Sequence, residues 1–148
     1  MAPLNNVNPM KITSVLGFDF GKKRIGIATG QTITNSATPC KTLKQVAGNP
    51  DWPAIEAEIK QWKPQALIVG MPYYTDGSEN KMTAAARQFA YELEKRFKLP
   101  VIEIDEALSS QQAEEFLKQN IKITKQNKQE IDKMAASIIV QRWLDQQP

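Results

Sequence analysis

Histidine is absent from the 148 residues, and cysteine occurs once, as Cys40. The first absence excludes imidazole-based serine and cysteine triads and the common histidine-bearing zinc sites, so acid–base or metal chemistry must rest on carboxylates. The second excludes an internal disulfide and favours a reducing compartment, the cytoplasm by default. No apolar run approaches membrane-spanning length, so no membrane partner is expected. The opening MAPLNNVNPM lacks the basic-then-apolar layout of a signal peptide and reads as a loose tail over 1–10, ahead of a single domain over 11–148. A hydrophobic fraction of 41% and a charged fraction of 24% are ordinary globular usage, which argues against disorder. The net charge of +3 is compatible with a polyanionic partner without demonstrating one. Lys118, Lys122, Lys125, Lys128 and Lys133 crowd one late segment, which charge alone explains as a solvated face.

What is present is organised around GFDFGKKRIGIATG, Gly17 to Gly30. A β-rich run from Thr13 to Phe18 delivers Asp19 into a glycine turn, and Arg24 to Thr29 resumes the pattern, which reads as a hairpin. An acid in a buried-looking strand is costly unless it is paired, hydrogen-bonded or metal-bound. The plainer alternative is that Asp19 caps the turn through its own backbone.

Ala37 to Thr42 reads as a third strand, with Pro39 suited to a sheet edge. Asn49, Pro50 and Asp51 start a helix whose stripe is Ile55, Ile59 and Trp62. On this reading Trp52 and Trp62 are packing residues rather than base-stacking platforms. Ala66 to Val69 is continuously apolar, as expected of a central strand buried on both faces. The loop GMPYYTDGSEN follows at its carboxyl end, where open α/β sheets place ligand sites. Met82, Ala86, Phe89, Leu93 and Phe97 define a long amphipathic helix. Val101 to Ile104 is another strand, ending in Asp105 and Glu106. Ser109 with Gln112 then caps a helix carrying Ala113, Phe116 and Leu117. A last helix carries Ile131, Met134, Ala135, Ile138, Ile139 and also Asp132. The order implies an α/β fold with a mixed sheet, antiparallel early and parallel later.

Asp19, Asp105, Glu106 and Asp132 thus sit on different elements, a scatter that makes sense if the fold gathers them. Gathered carboxylates repel unless cations neutralise them. Oxygen donors without imidazole or thiolate select hard ions such as Mg²⁺ or Mn²⁺, which can support phosphodiester hydrolysis. Asp105, Glu106 and Asp132 each also have a bland reading near a helix start, where negative charge is favourable.

Four segments, GFDFGKKRIGIATG, GMPYYTDGSE, DEALSS and IDKMAA, resemble in order the motifs of the YqgF/RuvX family, over nearly the whole chain from about Lys11. The resemblance implies an RNase H-like fold with a five-stranded mixed sheet flanked by helices. It also implies a divalent-metal nuclease that matures the 5′ end of pre-16S rRNA in a ribosomal precursor, with junction DNA as the neighbouring substrate. It makes Asp19, Asp105, Glu106 and Asp132 the catalytic and metal-binding candidates. Lys22, Lys23, Arg24, Tyr74, Ser78, Lys125, Lys128 and Lys133 are the nucleic-acid-contacting candidates. Two departures stand out: Ala107 replaces the arginine usual after the acidic pair, and Tyr74 replaces a common asparagine. Ala107 keeps open an RNA-binding protein with weak or no catalysis. Reading the glycine turn as the phosphate loop of an actin-like ATPase would require two lobes, and the chain is long enough for one.

Overall fold

In a computed structural model of the protein, residues 11–73, 76–105 and 128–148 are described. The tail expected over 1–10, the helix expected after Ser109, and the candidates Tyr74, Glu106 and Lys125 lie outside these, as does Ala107. Within the described residues eight elements run in chain order: β1 (Ser14–Phe20), β2 (Arg24–Gln31), β3 (Ser36–Lys44), α1 (Trp52–Trp62), β4 (Ala66–Met71), α2 (Lys81–Phe97), β5 (Val101–Asp105) and α3 (Lys128–Asp145).

The five strands form one sheet in the order β3-β2-β1-β4-β5. β1, β2 and β3 pair antiparallel, while β4 and β5 run parallel to β1. The middle strand is therefore β1, and the Ala66–Val69 run lies beside it as β4, a central strand flanked by β1 and β5 and buried throughout, as its apolar run requires. β3 lies at an edge. Its pairing with β2 slips between Ile27 and Ala28, opposite Lys41 and Pro39, where the proline can supply no ladder donor.

Strand alternation divides the core in two. Leu16, Phe18, Ile25, Ile27, Leu67 and Val69 face α1 and α2, meeting Ile55, Phe89 and Leu93. Val15, Ala28, Ile68 and Ile104 face α3, meeting Ala136, Ile139, Val140, Trp143 and Leu144. Complete burial of a side chain such as Phe18 contributes on the order of 1.5–3 kcal/mol. Of the expected α3 stripe, Ala135 and Ile139 are fully buried whereas Ile131, Met134 and Ile138 are only half-buried, and the buried positions continue to Leu144.

α1 starts where Asp51 accepts from the Ala54 amide, with Pro53 in the first turn. Trp52 packs as expected, stacked on Phe89 with the Arg96 guanidinium over its ring at 4.2 Å. Trp62 does not. It is 43% exposed at the helix end and uses its indole N–H on the Glu58 carboxylate, since Glu58 occupies the buried position one turn earlier. α2 begins with a reciprocal cap between Asn80 and Thr83, and the Thr83 hydroxyl also donates to the Pro72 carbonyl at 2.5 Å. That bond pins the carboxyl end of β4 to the start of α2.

Candidate active site

The carboxyl ends of β1, β4 and β5 open at one side of the sheet, and Asp19 lies there, half-buried, near the end of β1. Because Leu16 and Phe18 point toward α1 and α2, alternation sends Asp19 to the α3 face. Its direct partner on β2 is Gly26. A Cβ added to Gly26 would stand 2.1 Å from the Asp132 carbonyl oxygen. The start of α3 therefore rests on bare backbone beside Asp19. Opposed residues on paired strands have Cβ atoms about 4.5–5.5 Å apart, so the Asp132 turn adjoins Asp19. Thr42, paired with Gly26 from β3, donates from Oγ1 to the Gln129 carbonyl at 2.8 Å and fastens the same turn.

The other glycines of the opening motif serve the same helix. Added Cβ atoms at Gly17 and Gly30 would stand 2.2 and 2.4 Å from Val140 methyl carbons, so the valine fills the hollow between them. Gly21 belongs to the β1–β2 turn, donating its amide to the Arg24 carbonyl at 2.8 Å. Helix docking and a tight turn thus explain the glycine pattern without a nucleotide-phosphate loop.

Asp132 is half-buried, and its Oδ2 accepts from Arg24 Nε at 2.6 Å. Asp105 is placed differently. Val101 packs on the α1/α2 side whereas Ile102 and Ile104 pack on the α3 side, so alternation puts Asp105 on the face opposite Asp19. Its side chain is exposed, and its carbonyl accepts from Arg142 Nη1 at 2.6 Å. The fold therefore sets the backbone of the Asp132 turn beside the strand pair that carries Asp19, and puts Asp105 on the opposite face. Among the described residues no three Asp, Glu or Cys side chains are grouped closely enough to hold a metal ion.

Of the basic candidates, Lys22 and Lys23 are exposed in the turn, and Lys128 is exposed at the start of α3. Lys133 is turned to Glu130 at 3.0 Å. Ser78 is committed to shaping its loop: its amide and hydroxyl both donate to Asp76 Oδ1, the hydroxyl first in holding that carboxyl below its ordinary range. Two further residues at this end were not singled out in the sequence. Lys44 pairs with Arg24 across β2 and β3, extending the basic edge. Gln45 donates from Nε2 to the Gly21 carbonyl at 2.5 Å and from its amide to the Lys23 carbonyl at 2.9 Å, clamping the turn from below. Its Oε1 is buried without a hydrogen-bond partner among the described residues. The sequence signal for both would have been a strand running beyond Thr42.

A five-stranded mixed sheet with an acid on its middle strand and another on the last helix defines the class, the RNase H-like fold. Solved structures with that likeness include Fowlpox virus resolvase in complex with Holliday junction DNA, at TM-score 0.54 and 12% identity over 90% of this chain and 97% of that one. T. thermophilus RuvC in complex with a Holliday junction aligns at TM-score 0.51 and 12% identity, over 89% and 93%. The family described as RuvX, Holliday junction resolvase, matches residues 13–146, and the chain belongs to it. A Legionella pneumophila protein named "Putative pre-16S rRNA nuclease" is 50% identical over 131 residues, 88% of this chain and 94% of its own. A Nitrosococcus oceani protein of the same name is 48% identical over 147 residues, 99% and 95%.

Proposed function

We propose that the protein is a divalent-metal-dependent nuclease that hydrolyses phosphodiester bonds in structured RNA, maturing the 5′ end of the small-subunit rRNA precursor in the cytoplasm. The single observation that carries this reading is that the backbone of Asp132 rests on Gly26, the strand partner of Asp19. Family membership and the name shared by the relatives supply the reaction and the RNA.

The donor chemistry fits a hard cation, Mg²⁺ or Mn²⁺. Asp19 and Asp132 offer carboxylate oxygens from a strand and a helix that the core holds rigidly, and no imidazole exists to compete. Of the acidic pair, Asp105 stands on the other face, so we assign the third oxygen donor to Glu106. When bound, such an ion activates water and stabilises the leaving oxygen. The chain's own residues supply the rest. Lys22, Lys23, Lys44 and Lys128 ring the carboxyl end of β1 with positive charge that holds the sugar–phosphate backbone, and Asp19 and Asp132 fix the point of attack beside it. Tyr74, Ser78 and Lys125 remain contacts proposed from the sequence.

A second reading, a nuclease for branched DNA, is favoured by the family's own description. Both are tested with labelled precursor RNA and a four-way DNA junction in Mn²⁺, using the wild type, Asp19→Asn and Asp132→Asn. We expect faster cleavage of the RNA and a loss of about a hundredfold or more in each variant, the scale on which removal of one directly acting group is felt. Cleavage that persists in both variants refutes the site, and tight RNA binding without cleavage by the wild type makes the protein a binding module.

A further inference from the structure

Arg24, singled out in the sequence as a nucleic-acid contact, has a different partner in the fold. Its Nε donates to Asp132 Oδ2 at 2.6 Å, joining residues 108 apart in the chain. The two side chains are 27% and 22% exposed, so the bond is partly shielded from water, where a charge-assisted contact holds its geometry better than an open surface pair.

The start of α3 does not depend on this bond for its docking. Gly26 already lets the helix backbone down onto β2, and Thr42 already fastens it through Gln129. What Arg24 adds falls on the Asp132 side chain: it takes one carboxylate oxygen, Oδ2. The neighbouring cation, Lys133, is directed to Glu130 instead. Arg24 is itself held in place, because it closes the Gly21 turn through its carbonyl and that turn is clamped by Gln45. A continuous line runs from Gln45 through the glycine turn and Arg24 to Asp132.

We infer that Arg24 is a positioning residue, which selects the Asp132 side-chain orientation that catalysis needs, rather than a phosphate contact. The inference rests on the nuclease reading above. A hydrogen bond from an outer residue fixes a ligating carboxylate in the way that outer partners orient metal ligands generally, and losing one typically costs about 10–100-fold in activity. Lysine keeps the charge but cannot present a planar fork with a side-on N–H, so it does not replace arginine here.

The test compares wild type, Arg24→Lys and Arg24→Gln in three measurements. These are steady-state cleavage of the precursor RNA in Mn²⁺, binding of the same labelled RNA in EDTA by fluorescence anisotropy, and thermal melting. We expect kcat to fall about 10–100-fold in both variants, with KM and the EDTA affinity within about threefold of wild type. Unchanged kcat with a tenfold loss of EDTA affinity would overturn the inference and return Arg24 to phosphate binding. A lowered melting temperature with kcat unchanged would reduce the pair to a structural one. If the wild type cleaves but the variants match it throughout, this inference alone fails; if the wild type cleaves nothing, the nuclease reading fails and takes the inference with it.

Discussion

Gly26 holds a place that no side chain can share. An added methyl would meet the Asp132 carbonyl oxygen and carbon at 2.1 and 2.5 Å, and backbone cannot swing aside as a flexible side chain can. Gly26→Ala must therefore lift the first turn of α3 or tilt β2. Overpacking of this kind costs about 1–3 kcal/mol, and for a chain of this size each kcal/mol lowers the melting temperature by roughly 2–4 °C. The displaced turn carries Asp132, so cleavage should fall further than the lost stability explains. Differential scanning calorimetry beside single-turnover cleavage checks this; a stable variant with wild-type turnover would show that the helix start does not set the site. Asp19 was legible in the sequence because an acid in an apolar strand demands a reason. Arg24 was not, since its partner lies 108 residues away and only folding reveals that its charge is spent on Asp132.

At the scale of elements, α1 and β3 are joined by a buried carboxylate. Glu58, 4% exposed, accepts from Lys41 Nζ at 2.9 Å and Trp62 Nε1 at 3.2 Å, with Cys40 Sγ at 3.5 Å. Burial pushes its carboxyl upward, but the Lys41 and Trp62 hydrogen bonds outweigh that and leave it below the ordinary carboxylate value. A carboxyl lowered on folding contributes stability that is fully present above its unfolded value and is lost as pH falls through its folded value. Glu58→Gln should thus be less stable than wild type at pH 7 by about 1–3 kcal/mol, with the gap closing as pH drops below the ordinary carboxylate range. Urea titrations at pH 7 and in that acid range test the point, and a gap constant with pH would assign the loss to packing alone. Burial, and then Glu58, raises the Cys40 thiol, so it should react slowly with thiol reagents at neutral pH.

The periodic elements were legible for physical reasons. β1, β4 and α2 carry apolar residues in the rhythm their burial requires, and the Asn80 cap marks where α2 begins. Trp62 misled because stripe position cannot reveal that a glutamate one turn earlier will take the buried place with its own partners. The middle position of β1 was hidden because strand order is set by crossovers rather than by how apolar a run is.

For the whole molecule, the sheet and α3 turn distant motifs into neighbours: a glycine face receives the helix, and the turn that carries Asp132 rests on the strand partner of Asp19. The same topology separates Asp105, which strand alternation puts on the face opposite Asp19. Mn²⁺ soaked into crystals of the protein tests the central claim most directly. The convergence of motifs predicts anomalous density coordinated by both Asp19 and Asp132, lost in Asp132→Asn. Density on Asp105 without Asp19, or none on either aspartate at millimolar Mn²⁺, would contradict it.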